Sequence, residues 1–536
     1  MRKFMSMESV LVHIVDNKGK SPTQVADEIG SQYLAEIDIA QRKGLGQFFT
    51  PPLVAQFMSS FYVSPNTKIS EIKILDPGGG TGILSCALIE RIVQSHKYPK
   101  KITLTIYEID SDLSKYTSQV LEYLKLWLQD EYDVQFIYTL YTGDFIYAYA
   151  DTLENQNRID EEYDIIISNP PYFKIQKTDG RVKANDTIVH GQPNIYAMFL
   201  HTAASLLREG GQLIFITPRS FSSGLYFRLF RERFFSLVDL ESVHLFESRT
   251  DAFKRDAVLQ ENIIISARRV TRNKSIHKIT ISTSQGISDI ENKSIELYSF
   301  DEIFDRTSYQ KILHLPSSRD EAEVVKLFKS WKGNLNAYNI QISTGPVVSY
   351  RARQYIFATQ QPDMVLAPLY LLYNASKMKW EWPVSRNNKE QYIQVCDDTK
   401  SLLIPNKNYI FLRRFSSKDD HSRLIATPYF ADNVESNVIG VENHLNYIYR
   451  PHGHLDRREI LGLSALLNSS LFDTYFRTFN GNINVSATEL REMPLPDISL
   501  IMELGNKLIL ENNFTQNVVD EIVRQFFKSR EELRVA

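Results

Sequence analysis

Cysteine is scarce in this chain, and long apolar runs are absent. Only two cysteines, Cys86 and Cys396, occur among the 536 residues, and they lie far apart in the sequence. They cannot form a disulfide framework or a multi-cysteine metal site by themselves, so we expect no bound metal and a reducing, cytoplasmic location. A membrane-spanning helix needs about 18 or more consecutive apolar residues. Because the sequence has no such stretch, we expect no membrane span, and we also expect no signal peptide.

An excess of charge of one sign is also missing. The formal net charge is −3, with 43% hydrophobic and 23% charged residues. This balance excludes a chain that is basic throughout, so any surface for nucleic acid must be local. The length is sufficient for two or three domains, each with a core of its own.

Strand-like segments recur through the first half of the chain, with helix-length segments between them. They are EIKILD (71–76), KITLTIYEID (101–110), VQFIYTLYTGD (134–144), YDIIIS (163–168) and GGQLIFITP (210–218). Apolar, β-branched strands that alternate with helices predict an α/β fold with a parallel, doubly wound sheet. Ligands of such sheets bind at the carboxyl ends of the strands. Candidate functional residues should therefore follow each strand.

The first of these strands leads into a glycine-rich turn. The turn consists of Asp76, Pro77, Gly78, Gly79, Gly80, Thr81 and Gly82. Glycine permits a tight turn with positive φ and lets a ligand approach the backbone closely. The turn lacks the Gly-Lys-Ser/Thr ending of a phosphate loop, which disfavours ATP hydrolysis. On its own, the turn is also compatible with a plain strand–helix connection.

Carboxylates stand at the ends of the next two strands. Glu108 can accept hydrogen bonds from both hydroxyls of a ribose, and Asp144 can accept one from an adenine amino group. The ring of Phe145 can pack on the base. Each carboxylate alone is compatible with a surface position. Acidic residues at three successive strand ends, together with the glycines, predict a pocket for an adenosine that carries a group on its 5′ side.

Two segments combine a polar residue with a pair of prolines. In GLGQFFTPPLVAQFM (44–58), Thr50 precedes two prolines, which predicts a helix with a hydroxyl N-cap. In DIIISNPPYFK (164–174), a buried strand ends in Asn169, Pro170, Pro171 and Tyr172. A residue before a proline avoids the helical region, so this backbone should be extended and the Pro170 carbonyl should point outward.

These motifs resemble those of the amino-methyltransferases of DNA. FTPPLVAQFM, LDPGGGTG, YEID, GDF and SNPPYF match that family's motifs in content, spacing and order. The cofactor motifs precede Asn-Pro-Pro-Tyr, as in the gamma class of site-specific adenine-N6 methyltransferases of type II restriction–modification systems. The resemblance implies a Rossmann-like doubly wound methyltransferase sheet, S-adenosyl-L-methionine as cofactor and double-stranded DNA as substrate. The cofactor-binding residues that it implies are Thr50, Asp76, Pro77, Gly78, Gly80, Gly82, Glu108, Asp144 and Phe145, with Thr50 against the methionine carboxylate.

The resemblance also implies a catalytic group. The side-chain oxygen of Asn169 and the carbonyl of Pro170 would accept hydrogen bonds from the adenine amino group, and Tyr172 would offer a face for stacking. The base must leave the duplex to reach them. Phe253 is the candidate for a second aromatic wall, and Phe246 is its alternative. PNIYAMF (193–199) resembles a later family motif that shapes the pocket.

The resemblance to the gamma class further implies that the second half, from residue 306 onward, is a mixed α+β target-recognition domain. Residues 331–430 contain 13 Lys and Arg against 7 Asp and Glu, a local net charge of +6 that favours a polyanion partner. The arginines that we expect to contact DNA are Arg351, Arg353, Arg413, Arg414 and Arg423. Stretches such as STGPVV (343–348) resemble the modification methyltransferases of PstI- and BsuBI-type systems, which methylate adenine in CTGCAG.

Other functions remain compatible with these motifs. RNA and protein-glutamine methyltransferases also use Asn-Pro-Pro-Tyr, although they usually lack the FTPP segment and a large C-terminal domain. A catalytically inactive DNA-binding module is a further alternative. The Asn before Pro-Pro-Tyr favours adenine N6 over cytosine N4. We expect a monomer and a cognate restriction endonuclease that acts on the same site without direct contact.

Overall fold

The computed structural model describes residues 19–37, 49–64, 69–95, 98–150, 162–248, 261–270, 278–306, 308–384, 389–416, 420–481, 483–511 and 514–528. The described residues form two compact units. The first comprises those within Met1–Ser222 and Tyr226–Lys311, and the second those within Ser223–Leu225 and Ile312–Ala536. Arg231 donates hydrogen bonds to the carbonyls of Gln310 and Lys311. Because of these bonds, the first unit extends to Lys311, beyond the domain boundary expected between residues 305 and 306.

A nine-stranded sheet is the centre of the first unit. Its strands are β1 (Glu71–Pro77), β2 (Lys101–Glu108), β3 (Gln135–Thr142), β4 (Tyr163–Ser168), β5 (Leu207–Pro218), β6 (Val238–Phe246), β7 (Asn262–Arg269), β8 (Lys278–Ser284) and β9 (Ser294–Ser299). The order of the strands in the sheet is β3-β2-β1-β4-β5-β7-β6-β8-β9.

The five strands predicted from the sequence pair in parallel, with β1 between β2 and β4. Beyond β5 the sheet continues with strands that the sequence pattern did not predict, and among them β7 lies antiparallel to both β5 and β6. A strand that is buried on both faces is equally apolar in either direction, so its apolar pattern does not determine its orientation. The predicted α/β class is confirmed.

The helices of the first unit cover this sheet and position the strand ends. They are α1 (Pro22–Glu36), α2 (Pro52–Ser59), α3 (Ile83–Val93), α4 (Ser111–Tyr132), α5 (Phe145–Ala148), α6 (Gly180–Ala184), α7 (Ile195–Leu206), α8 (Arg228–Leu237) and α9 (Phe300–Ile303). Every residue of α3 except Arg91 is buried. The Glu90 carboxylate accepts a hydrogen bond from the Thr23 backbone N–H of α1 at 2.6 Å. The helix that follows the glycine turn is therefore fixed on several sides.

The second unit contains short strands and several helices. Its strands are β10 (Gln341–Thr344), β11 (Ile356–Phe357), β12 (Leu366–Tyr370), β13 (Ala375–Ser376), β14 (Lys379–Trp380), β15 (Tyr392–Gln394), β16 (Leu403–Pro405), β17 (Tyr409–Arg413), β18 (Ala426–Tyr429), β19 (Val438–Val441) and β20 (Leu445–Tyr449). Its helices are α10 (Arg319–Ser330), α11 (Arg457–Asn468), α12 (Ser470–Arg477), α13 (Ala487–Arg491), α14 (Ile498–Ile509) and α15 (Gln516–Lys528). They form sheets β10-β20-β17-β18 and β11-β15-β12-β19-β16, the pair β13-β14, and a helical core. This unit is mixed α+β, as predicted.

Two kinds of feature are missing from the described residues. No helix in these parts of the chain is long and apolar enough to cross a membrane. The same residues contain no cluster of three His, Cys, Asp or Glu side chains that could hold a metal ion.

Candidate active site

A cavity of about 220 Å³ lies at the carboxyl ends of the parallel strands of the first unit. Seven of the residues predicted from the sequence line it: Gly78, Gly80, Glu108, Asp144, Phe145, Asn169 and Pro171. The other lining residues are Phe49, Tyr107, Ile109, Leu113, Gly143, Phe173, Arg181, Ile195 and Phe199. The expectation that strand ends gather the polar residues therefore holds for Glu108, Asp144 and Asn169.

The glycine turn forms one side of the cavity because its backbone adopts left-handed conformations. The φ angles are 76° at Gly78, 58° at Gly80 and 82° at Gly82. Residues other than glycine rarely adopt these φ angles. Gly82 is also the N-cap residue of α3. Three glycines in this turn are thus a requirement of its path.

Glu108 is held in a defined orientation by the backbone around it. One carboxylate oxygen accepts a hydrogen bond from Gly80 N–H at 3.0 Å, and the other accepts one from Asp110 N–H at 2.9 Å. Burial raises the pKa of Glu108 to about 7. The carboxylate therefore faces the cavity with both oxygens positioned, and its ionisation falls in the neutral range.

Asp76 does not line the cavity. It is fully buried, and it accepts a hydrogen bond from the Ser85 hydroxyl at 2.6 Å. Burial raises its pKa to about 7. The neighbouring Pro77 carbonyl accepts a hydrogen bond from Ser168 at the end of β4. Asp76 and Pro77 thus link the glycine turn to α3 and β4 rather than bordering the cavity.

Asn169 is held by hydrogen bonds at both ends of its amide. Its Nδ2 donates to the Thr50 hydroxyl at 3.1 Å, and its Oδ1 accepts from the Tyr172 hydroxyl at 2.5 Å. The Ile216 carbonyl lies 3.0 Å from the same Tyr172 hydroxyl. Burial raises the pKa of Tyr172 well above its usual value, so the hydroxyl stays protonated and donates. The sequence motif predicted the ring of Tyr172 as a stacking face but not this role of its hydroxyl.

Thr50 does not cap the helix that follows it, although the sequence predicted this role. The N-cap residue of α2 is Pro51, without a side-chain hydrogen bond to the helix, so the prediction that Thr50 caps this helix is wrong. The physical reason is that the Thr50 hydroxyl instead accepts the hydrogen bond from Asn169. Thr50 is buried and does not line the cavity.

Asp144 is the N-cap residue of α5, and it also contacts Arg181, a residue that the sequence did not predict to be functional. Its Oδ1 accepts hydrogen bonds from the N–H groups of Ile146 and Tyr147 at 2.8 and 3.1 Å, as expected of an N-cap carboxylate. Its Oδ2 accepts one from Arg181 at 3.3 Å. Arg181 follows the Asn-Pro-Pro-Tyr motif in a segment without a recognisable pattern, so no local signal marked it.

The apolar walls of the cavity are formed mostly by aromatic rings. Phe145 is buried and packs against Tyr107 and Phe199, with ring centroids 5.6 and 5.2 Å apart. Phe199 ends the PNIYAMF segment, which predicted a pocket wall. Flat apolar surfaces of this kind suit an aromatic base.

Comparisons with known proteins agree with these motifs. The model of the Eco57I restriction-modification methylase family matches residues 95–253. The type II methyltransferase M.PstI of Providencia stuartii is 32% identical over 94% of this chain and 96% of its own length. The chain belongs to the type II methyltransferases of restriction–modification systems. Another relative, M.BsuBI of Bacillus subtilis, is 31% identical over 91% of this chain and 95% of its own.

The fold of this type II methyltransferase also occurs among solved structures. The Type IIL restriction-modification enzyme MmeI, solved in complex with DNA, superimposes with a TM-score of 0.51 and 12% identity. The match covers 99% of this chain and 74% of MmeI. At this level of identity the likeness concerns the fold alone.

Phe253 and Phe246 are the two candidates for the second aromatic wall. Phe253 lies outside the described residues. Its alternative, Phe246, is buried at the end of β6, and its ring lies 4.6 Å from that of His244 in the core. Phe246 therefore contributes to the core of the methyltransferase sheet.

The five arginines predicted to contact DNA differ in exposure. Arg351 and Arg353 are exposed. Arg413 and Arg414 are half-buried, and each donates a hydrogen bond to a backbone carbonyl of the second unit. Arg423 is only 1% exposed, and its guanidinium donates to Ser416 and Asn480.

The prediction of Arg423 as a DNA contact is therefore wrong, because its charge is enclosed by the core of the second unit. The sequence pattern that suggested it, arginines among aromatic and hydroxyl residues, is shared by solvent-facing clusters and by buried hydrogen-bonded ones.

Proposed function

We propose that this type II methyltransferase transfers the methyl group of S-adenosyl-L-methionine to the N6 amino group of an adenine flipped out of a short duplex DNA site. The observation that supports the proposal is the Asn169 amide, which borders the cavity with its nitrogen bonded to Thr50 and its oxygen bonded to Tyr172. Because the amide nitrogen is the atom that donates to Thr50, the amide oxygen is the atom that can accept from an exocyclic amino group.

The residues around the cavity fit the cofactor. Glu108 offers two fixed carboxylate oxygens to the ribose hydroxyls, and the left-handed glycine turn allows close approach to the backbone. Phe145 and Phe199 would pack on the adenine ring, and Asp144 would accept from its amino group. When bound, S-adenosyl-L-methionine supplies a methyl group that its sulfonium has already activated.

The chain's own residues would prepare the target base. Asn169 Oδ1 and the Pro170 carbonyl would accept hydrogen bonds from the two N–H groups of adenine N6, which reduces delocalisation of the nitrogen lone pair into the ring. Tyr172 can give up its bond to Asn169 because the Ile216 carbonyl offers its proton a second acceptor. No general base is needed before transfer, since the positive charge on the product nitrogen makes proton loss easy afterwards.

The biological role would be protection of the host's own DNA. Methylation would protect the site from a cognate restriction endonuclease that acts on the same sequence and need not contact the methyltransferase. The resemblance to PstI- and BsuBI-type enzymes supports CTGCAG as the site. We further propose that the protein is a monomer in the cytoplasm.

A methylation assay in vitro tests the proposal. The purified chain would be incubated with radiolabelled S-adenosyl-L-methionine and one of four substrates: a CTGCAG duplex, the same duplex with N6-methyladenine already at the target, a scrambled duplex and the matching RNA duplex. We expect label only in the first, recovered as N6-methyladenine after digestion. Label in N4-methylcytosine or in the RNA would contradict the proposal. Label in the scrambled duplex alone would contradict only the site.

A further inference from the structure

The segment that follows the Asn-Pro-Pro-Tyr motif forms a loop whose two ends are joined by backbone hydrogen bonds. Lys174 and Asn194 form an antiparallel bridge, and the backbone N–H of Ile175 donates to the Pro193 carbonyl at 3.2 Å. The backbone N–H of Ile195 donates to the Phe173 carbonyl at 3.1 Å. We call residues 174–194 the strap. The strap and its two ends contribute Arg181, Phe173 and Ile195 to the wall of the cavity.

Arg181 connects the strap to Asp144, another residue of the cavity wall. Its Nε and Nη2 donate to the two carboxylate oxygens of Asp179 at 2.8 and 2.6 Å, a bidentate pair within the strap. Its Nη1 donates to Asp144 at the start of α5. The side chains of Arg181, Asp179 and Asp144 are only 19%, 18% and 15% exposed. Ion pairs as covered as these are screened less than the exposed pairs that contribute little to stability.

Tyr147 of α5 strengthens the same junction. Its hydroxyl donates to Asp179 at 3.4 Å, and its ring lies 5.9 Å from the Arg181 guanidinium carbon. A Cβ atom at Gly180 would lie 3.0 Å from the Tyr147 hydroxyl, so the absence of a side chain there allows the strap to approach α5 this closely. The Arg181 guanidinium also lowers the pKa of Asp179 to about 2, which keeps that carboxylate charged at any physiological pH.

We propose that Asp144, Arg181 and Asp179 form an ion triad that holds the strap against the cavity, and that Arg181 is a positioning residue for the cofactor. Arg181 would fix the orientation of Asp144, which would accept a hydrogen bond from the adenine amino group of the cofactor. It would also keep the strap in its position at the wall of the cavity. The inference rests on the proposed use of S-adenosyl-L-methionine. It goes beyond that use because it assigns cofactor retention to Arg181 and Asp179, which lie outside the family motifs.

Binding measurements on four variants test the inference. Arg181→Met removes the charge and keeps the length of the side chain, and Arg181→Lys keeps the charge without the bidentate fork. Asp179→Asn breaks the pair from a residue that does not line the cavity. Arg268→Met is the matched control, since it removes another partly covered ion pair of the same unit, with Glu241, away from the cavity. For each variant, the Kd and dissociation rate of radiolabelled S-adenosyl-L-methionine would be measured, together with amide hydrogen exchange of residues 174–194.

The expected result is a graded loss of cofactor retention. Loss of a covered charge-assisted hydrogen bond should raise the Kd by roughly tenfold or more in Arg181→Met, with most of the change in the dissociation rate. Arg181→Lys should recover part of this affinity. Asp179→Asn should weaken binding by several-fold, and both Arg181→Met and Asp179→Asn should speed exchange within the strap. The control should match the wild type in all three measurements.

Three results would overturn the inference. If Arg181→Met binds the cofactor within twofold of the wild type, the triad has no part in binding. If Arg181→Met weakens binding while Asp179→Asn does not, and exchange in the strap is unchanged, Arg181 contacts the cofactor directly and the strap account is wrong. A wild-type chain that binds no S-adenosyl-L-methionine would refute the proposed function itself and, with it, this inference. The wild-type measurement therefore separates the two failures.

Discussion

The two units of the molecule arrange their charged side chains differently. In the first unit, Glu108, Asp144 and Arg181 come from separate strand ends or loops and border one cavity. In the second unit, Arg351 is exposed whereas Arg423 is enclosed in the core. A parallel sheet brings the ends of its strands to one edge, so polar residues that follow those strands converge. Short antiparallel strands and loops impose no such convergence, and each arginine must be judged by its own surroundings.

The largest expected effect lies in the first unit. Asn169→Ala removes the acceptor proposed for the target amino group, and we expect methylation to fall by at least about 100-fold, as for loss of one preorganised partner of a transition state. Cofactor affinity should stay near that of the wild type. Single-turnover rates and equilibrium dialysis would measure the two quantities. Retention of more than a tenth of the rate would show that Asn169 is not the acceptor.

The buried arginine of the second unit should affect stability instead. Arg423→Met leaves the Ser416 and Asn480 partners of the guanidinium without their donor in a buried site, which should cost roughly 2–3 kcal/mol of unfolding free energy. Denaturant or thermal unfolding would measure this loss, with Arg353→Met as an exposed control that changes little. An unchanged unfolding midpoint for Arg423→Met would contradict the assignment of Arg423 to the core.

The pKa of Glu108 provides a further test of the first unit. A buried carboxylate of the cavity changes its charge near neutral pH, whereas an exposed carboxylate does so at acidic pH. Burial raises this pKa to about 7, so the charged form becomes populated as the pH rises through about 7. The ionised carboxylate is the better acceptor for ribose hydroxyls, and cofactor affinity should therefore increase from pH 6 to pH 8. Glu108→Gln should weaken binding by roughly tenfold at pH 8 and make it less dependent on pH, with Asp76 left as a neighbouring group whose pKa is also about 7. A wild-type affinity that is flat over this range would refute the role of Glu108.

The smallest effect concerns the exposed arginines. Arg351→Ala and Arg353→Ala should each weaken duplex binding by a few-fold and reduce the dependence of log Kd on log salt by about one unit if each contacts a phosphate. Fluorescence anisotropy at several salt concentrations would measure both values. Identical slopes in wild type and variants would remove these two residues from the DNA surface.

The parallel strands and the residues at their carboxyl ends are the part of the molecule that could be predicted from the sequence. The five parallel strands, the glycine turn and the polar residues at three strand ends followed from apolar patterning and strand topology. The antiparallel insertion of β7 did not, because a buried strand has the same composition in either direction. Arg181 and the bond between Thr50 and Asn169 join residues far apart in sequence, and no local pattern specifies such contacts.

The central claim is the activity itself, and sequencing of modified bases tests it most directly. The chain and its Asn169→Ala variant would each be expressed in a host without DNA methylation, and the genomic DNA would be sequenced with detection of modified bases. The account predicts N6-methyladenine at one short motif, CTGCAG, with the wild type and none with the variant. A soluble wild-type protein that leaves the DNA unmodified, or that produces N4-methylcytosine, would contradict it.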